Sequence, residues 1–312
     1  MIQVQNLTKT YGATRALENV NFQVCPGEVL GFLGPNGAGK STTMKIITGF
    51  ISPSAGTVKV GDLDVVDNSF EIRQKLGYLA ETNPLYTDMK VHEYLRFVAA
   101  ARHIPSSERS NAIKAMVQVC GLFAVVGKSI DALSKGFRQR VGLAQAMIHN
   151  PDILILDEPT SGLDPNQIVE IRDLIRSIGK EKTIILSTHI LPEVAATCSR
   201  VVIINNGTIV AQGTPDELMR GSSREVVYIK IKGDRGIIRQ TLSEYHALGA
   251  IKQYAPEGRD IHAFAVEIKE GDGRELLFKA AVSNKWTLIE MYRKSENLED
   301  VFRRLTTKEN GV

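Results

Sequence analysis

The residues Gly34–Thr42, "GPNGAGKST", decide the reading of this chain. They follow the apolar run Val29–Leu33, "VLGFL", and lead into "MKIITGF". The local order is therefore strand, glycine-rich loop, helix, with the helix opening at Gly39–Lys40. Gly34, Gly37 and Gly39 let the backbone fold closely round an anion, with N–H groups and the helix dipole pointing inward. Pro35, Asn36, Ala38 and Thr42 complete the loop, Lys40 reaches the β- and γ-phosphates, and the Ser41 hydroxyl ligates Mg²⁺. A strand–turn–helix whose glycines serve only packing is the competing reading. The complete G-x-x-x-x-G-K-S spacing, in its strand–helix setting, favours a nucleoside triphosphate.

Working outward, "DILILDEPT" places Asp157 and Glu158 at the end of the buried run Ile153–Leu156. A carboxylate there is expensive unless it serves an ion, so Asp157 is expected to hold the Mg²⁺ shell. Glu158 is expected to face the γ-phosphate and polarise water, against the alternative of a solvated loop acid before Pro159. His189, in "IILSTHI", ends another apolar strand and can hydrogen-bond the γ-phosphate as neutral imidazole. Tyr11, in "KTYGA", is placed before the first strands; it either stacks on an adenine or is a half-buried aromatic. The stretch Leu133–Arg140, "LSKGFRQR", reads as a Ser/Gly turn opening a basic helix, which makes a second anion grip.

The totals limit the partners. At 312 residues the chain suits two domains, and 43 % hydrophobic with 23 % charged residues describes a globular protein. A net charge of +3 gives no electrostatic case for nucleic acid or lipid. Cys25, Cys120 and Cys198 match no metal spacing and fit a reducing cytosol. No apolar run approaches the ~20 residues that span a bilayer, and "MIQVQNLTKTYG" lacks a signal-peptide layout. The expectation is a cytoplasmic protein that meets a membrane only through a partner.

The organisation is α/β around a largely parallel sheet, with strands at Val29–Leu33, Ile153–Leu156, Thr183–Ser187 and Val201–Ile204. Between Thr87 and His149 the periodicity is helical, an all-helical insert of about residues 84–149. The polar stretch "AQGTPDELMRGSSRE" closes a first domain at about residue 220. Residues 221–312 then read strand–helix–strand–strand–helix–strand plus a last helix, a small α+β module of ferredoxin-like type.

In this order, "GPNGAGKST", "LSKGFRQR", "ILILDEP", "SGLD" and "STH" resemble the ATP-binding subunit of an ABC transporter over about residues 1–220. The resemblance implies a P-loop cassette binding ATP and Mg²⁺, with Tyr11 stacking on adenine, Asp157 as metal acid, Glu158 as general base and His189 as switch. It also explains the second grip. Two cassettes meet head to tail, so Ser134 and Gly136 close on the partner's γ-phosphate, ahead of a helix beginning at Phe137 and Arg138. Asp164 in "SGLD" lies across that interface. The insert touches a membrane subunit through a coupling helix.

Three departures stand out: Lys135 and Phe137 replace a glycine and a glutamine of the usual signature, and Glu81 replaces a glutamine that touches Mg²⁺. "LGYLAETNPLYTDMKVHEYL" and the C-terminal extension are most similar to the ABC-2-type export branch, in particular the gliding-motility-associated subunit. The implied partners are a second cassette, forming a homodimer or else a pair with a paralogue, and an integral-membrane ABC-2-type permease, with no nucleic acid. The rival readings are a non-transport ABC ATPase on ribosome or DNA, and a nucleotide-gated module whose C-terminal unit senses a ligand. The first usually carries two cassettes or long coiled-coil insertions. The second needs polar groups converging on a site within 222–312, and the sequence shows none.

Overall fold

The chain opens with an antiparallel hairpin, β1 (Ile2–Tyr11) and β2 (Thr14–Val24), that the sequence reading did not anticipate. Tyr11 is thus the last residue of the first strand and does not precede the strands. The computed structural model describes residues 1–220, 225–254, 260–294 and 298–307. These fall into two units, Met1–Pro215 together with Arg304–Thr307, and Asp216–Arg303.

In the first unit the hairpin leads to β3 (Val29–Leu33), the glycine loop, α1 (Lys40–Ile47), β4 (Ala55–Val60), β5 (Leu63–Asp64), α2 (Ser69–Lys75) and β6 (Leu76–Leu79). The insert supplies α3 (Val91–Ala101), α4 (Ser106–Val119) and α5 (Lys135–Met147). Then follow β7 (Ile153–Asp157), α6 (Pro165–Ile178), β8 (Thr183–Thr188), α7 (Leu191–Thr197), β9 (Arg200–Asn205) and β10 (Thr208–Gly213), and α8 (Pro215–Arg220) opens the second unit.

A six-stranded sheet of order β10-β9-β3-β8-β7-β6 is parallel except at β10. A separate antiparallel sheet, β2-β1-β4-β5, packs its apolar face against it. Ile2, Leu7, Val20 and Phe22 join Phe32, Ile155 and Ile185 in one core, with Met44, Ile46 and Ile47 of α1 filling the layer. Every residue of β3, β7 and β8 is buried, as expected for parallel strands covered on both faces.

Register positions the site. Leu33 pairs with Thr188, and Asp157 pairs with Ser187. The C-terminal ends of β3, β7 and β8 therefore finish side by side, where open parallel sheets place their ligands. The glycine loop, Glu158 and His189 are the next residues along these strands.

The second unit runs β11 (Glu225–Lys232), α9 (Arg235–Glu244), β12 (Leu248–Gln253), β13 (Ile261–Ile268), α10 (Gly273–Ser283) and β14 (Thr287–Lys294), before α11 (Leu298–Thr307). Its sheet order β12-β13-β11-β14, with all pairings antiparallel, is the ferredoxin-like arrangement. Val227, Ile229 and Ile231 pack with Ile238 and Leu242 of α9 and Leu277 of α10.

Candidate active site

The glycine loop is shaped by backbone that a side chain would oppose. Gly37 and Gly39 sit at φ +81° and +107°, in the left-handed region that favours glycine. A Cβ on Gly34 would fall 2.4 Å from the Ile204 carbonyl. The loop is pinned from behind, since Gly207 N donates to Ala38 O at 3.0 Å. A cavity of about 230 Å³ results, lined by Ala16, Asn36, Gly37, Gly39, Lys40, Ser41, Thr42, Glu81 and Glu158. Glu81 therefore borders the same space as the loop.

Lys40 is buried and its ammonium is already engaged. Nζ donates to Gly34 O at 2.8 Å and Pro35 O at 3.2 Å, and forms an ion pair with Glu158 Oε1 at 3.1 Å. Glu158 Oε2 lies 2.9 Å from His189 Nδ1. The sequence reading aimed Lys40, Glu158 and His189 separately at phosphate; the structure joins them in one line. Glu158 adopts φ +49°, an uncommon conformation for a non-glycine residue, and its N–H donates to both Ser187 O and Ser187 Oγ at 3.1 Å. That bend turns the side chain out of the strand and towards Lys40.

Asp157 is buried beside it. Its Oδ1 accepts from Ser41 Oγ at 3.2 Å and from Ser187 Oγ at 2.5 Å. Burial raises its pKa above the usual carboxylate range, and the Ser187 and Ser41 hydroxyls offset this in part. Ser41 lines the cavity and Asp157 lies directly behind it, so hydroxyl and carboxylate form a hard-oxygen donor pair suited to Mg²⁺, which binds through one or two carboxylates plus phosphate oxygens. The residues present fit that ion.

Glu193, which the sequence reading missed, adds a further buried carboxylate. It is 4 % exposed, and Thr188 Oγ1 donates to its Oε2 at 2.9 Å, next to His189 in the chain. Burial raises its pKa, and the charge of Glu158 adds to the rise. The available signal was an acid between the buried Leu191 and Val194 in "LPEV".

The remaining predicted residues lie elsewhere. Tyr11 is half exposed, with Lys9 Nζ 5.1 Å over its ring, and the cavity is lined by Ala16 and not by Tyr11. Ser134 caps α5, accepting from Phe137 N at 3.4 Å. The helix thus starts at Lys135, two residues before the expected Phe137, because a β-region serine already satisfies the first free N–H groups. Asp164 caps α6 in the same way, accepting from Gln167 N at 3.0 Å. Ser134 and Gly136 line a small cavity with Phe137, Arg140, Gln167, Glu170 and Ile171, none of which borders the glycine-loop cavity.

Comparison with known proteins agrees with this geometry. The "ABC transporter" family profile matches residues 17–161. The uncharacterized ABC transporter ATP-binding protein YxlF of Bacillus subtilis is 34 % identical over 307 residues, covering 97 % of this chain and 98 % of the relative. The bacitracin transport ATP-binding protein BcrA of Bacillus licheniformis is 31 % identical, covering 98 % and 97 %. Among solved structures, the ATP-binding cassette MJ0796, dimeric in a post-hydrolysis state bound to ADP and Pi, aligns with a TM-score of 0.64 at 26 % identity. It covers 69 % of this chain and 98 % of its own. The chain belongs to the ABC transporter family of ATP-binding proteins, whose cassettes are ATPases.

Proposed function

We propose that this chain is the ATP-hydrolysing motor of an exporter, working as a pair of cassettes on the cytoplasmic side of the membrane through a separate permease. The observation that carries the pairing is the separation of the two anion grips. In one chain the glycine loop and the capped serine of α5 line different cavities with no residue in common. The second grip is therefore free for the nucleotide of another copy, with Asp164 beside it.

Lys40 exchanges Glu158 and two carbonyls for the β- and γ-phosphates, and Ser41, Asp157 and Glu81 would hold Mg²⁺. Bound there, the ion would supply charge neutralisation to the triphosphate. Glu158, released from Lys40, orients the water that attacks the γ-phosphorus as the bond to ADP breaks, and His189 fixes the carboxylate through Nδ1. Tyr11 stacks on the adenine.

No helix among the described residues is long and apolar enough to cross a membrane. A groove of about 990 Å³ beside the insert is lined by exposed Phe50, Phe70, Tyr86 and Phe97. Such an apolar concave surface suits an amphipathic helix of the permease. The similarity to a bacitracin transport ATP-binding protein supports a role in transport, and export through the ABC-2 branch with its gliding-motility member is the narrower form of the proposal. The ferredoxin-like unit serves as an interaction or regulatory module.

The test is the molar mass of purified Glu158→Gln protein with and without Mg-ATP, by light scattering. A monomer that becomes a dimer only with Mg-ATP is expected. A protein that binds ATP yet stays monomeric would overturn the self-pairing.

A further inference from the structure

Lys135 stands where the usual signature has glycine, and its side chain runs onto the "SGLD" turn. A Cβ built on Gly162 would lie 2.1 Å from Lys135 Nζ and 3.3 Å from its Cε. The ammonium and the end of its stem therefore occupy the space that any other residue at 162 would fill. Gly162 also sits at φ +68°, which favours glycine independently. The contact is the first of three between the starts of α5 and α6. Gly136 packs so closely that a Cβ there would meet Gln167 Cδ at 2.8 Å. One turn later Arg140 Nη2 pairs with Glu170 Oε2 at 2.6 Å. Ser134 caps one of these helices and Asp164 the other.

We propose that Lys135 is a positioning residue: seated on Gly162, it locks the turn that carries Asp164 to the start of α5. Ser134, Gly136 and Asp164 then meet the second cassette as one preformed face. The ammonium is the part of Lys135 nearest the turn, with the stem behind it, a contact that a glycine at 135 has no side chain to make. The side chain is thus turned towards its own chain's turn. This inference rests on the dimeric-motor reading above.

The test is a double-mutant cycle in the Glu158→Gln background, with Lys135→Met, Gly162→Ala and both. Light scattering would give the dimer dissociation constant in Mg-ATP, and calorimetry the ATP affinity of the monomer without Mg²⁺. Each single change should weaken the dimer about tenfold, with the double change no worse than the weaker single, because both break one contact. ATP affinity of the monomer should stay unchanged, which separates a lock on the face from general loss of structure. Additive effects would overturn the proposal, as would a weaker dimer in Lys135→Met with none in Gly162→Ala, since the lysine would then be serving phosphate directly. Should the parent protein never dimerise, the motor reading fails separately. Amide hydrogen exchange of residues 160–164 in the monomer then decides the lock: it should quicken in Lys135→Met, and unchanged exchange overturns it.

Discussion

Replacing Glu158 by Gln should do two opposite things to this protein. The carboxylate lies 3.1 Å from Lys40 Nζ, and both side chains are 6 % exposed. At an effective dielectric of about 20, such a pair attracts by about 5 kcal/mol. Desolvation of both ions offsets much of this, leaving roughly 1–3 kcal/mol to the ligand-free fold. In Glu158→Gln the ammonium keeps the Gly34 and Pro35 carbonyls but loses its counter-charge, so ligand-free stability should fall by about that amount. An incoming triphosphate no longer competes with Glu158 for Lys40, so ATP should bind about 5–30-fold tighter, roughly 1–2 kcal/mol. Turnover should nevertheless fall by about 10²–10⁴, because the water loses its base. Calorimetry with ATP and a chelator keeps cassettes apart and reads the first site alone, and thermal unfolding with and without ATP reads the stability. The gap in unfolding temperature between variant and parent should close as ATP saturates the site. Unchanged ligand-free stability, or ATP affinity equal to or weaker than that of the parent, would refute the claim that Glu158 holds Lys40 in reserve.

Asp157→Asn should abolish Mg²⁺-dependent hydrolysis while stabilising the ligand-free protein by about 1–2 kcal/mol in urea titrations, since it removes a buried charge but keeps an oxygen for Ser41 and Ser187. Because burial raises the folded-state pKa of Asp157, the fold retains a proton that the unfolded chain releases; this contribution weakens stability as pH climbs from the ordinary carboxylate value to the folded one, and the variant should lose that slope. His149 behaves oppositely: burial and the nearby Arg102 push it down to about 4, while its Nε2 meets Leu76 O at 3.1 Å. Its stabilisation is complete above about pH 6.5 and lost towards pH 4, so unfolding titrations should show roughly 1 kcal/mol less stability at pH 5 than at pH 7, allowing for solvent screening, and His149→Gln should remove that difference. Gly77→Ala should cost about 3 kcal/mol or more by denaturant titration, because the new Cβ would lie 2.2 Å from the Ala146 carbonyl, with α5 already packed against β6. Glu193→Gln should lower kcat with little change in the KM for ATP and Glu193→Leu should lower it further, since only the amide can still accept from Thr188; equal kcat in both variants and parent would remove Glu193 from the support of His189.

The parallel strands were legible because burial on both faces leaves short runs of Ile and Leu, as in Ile153–Leu156 and Ile184–Leu186. The opening hairpin was not, for a physical reason. Asn6 and Asn19 take φ +50° and +49°, and register shifts between Val4 and Leu7 break the alternation on which a strand is recognised. The same limit applies within the site. Spacing names the glycine loop, Asp157, Glu158 and His189, yet no linear pattern says that Lys40 is held by Glu158, or that Glu193 backs the His189 turn. Those contacts arise from register between β3, β7 and β8, a property of the folded sheet. The second unit was readable as alternating strands and amphipathic helices because its sheet has one face on the helices, where Val227, Ile229 and Ile231 recur at every second position.

The ligand-free site is organised around what the substrate would replace. Lys40 is paired with the residue proposed to activate water, and Asp157 carries two hydroxyl donors where an ion would give it charge. Each arrangement keeps a buried charge tolerable without Mg-ATP, and each must open for chemistry. In the proposed role Glu158 would not orient water while it holds Lys40, so hydrolysis would wait until a triphosphate has drawn the lysine away. That ordering couples occupancy to competence inside one chain, before any second cassette arrives. The capped serine on its separate surface then adds a second condition, closure by a partner. A motor that must not run without load gains from both conditions, and the uncommon backbone conformation at Glu158 turns its carboxylate to the lysine on which the first one depends.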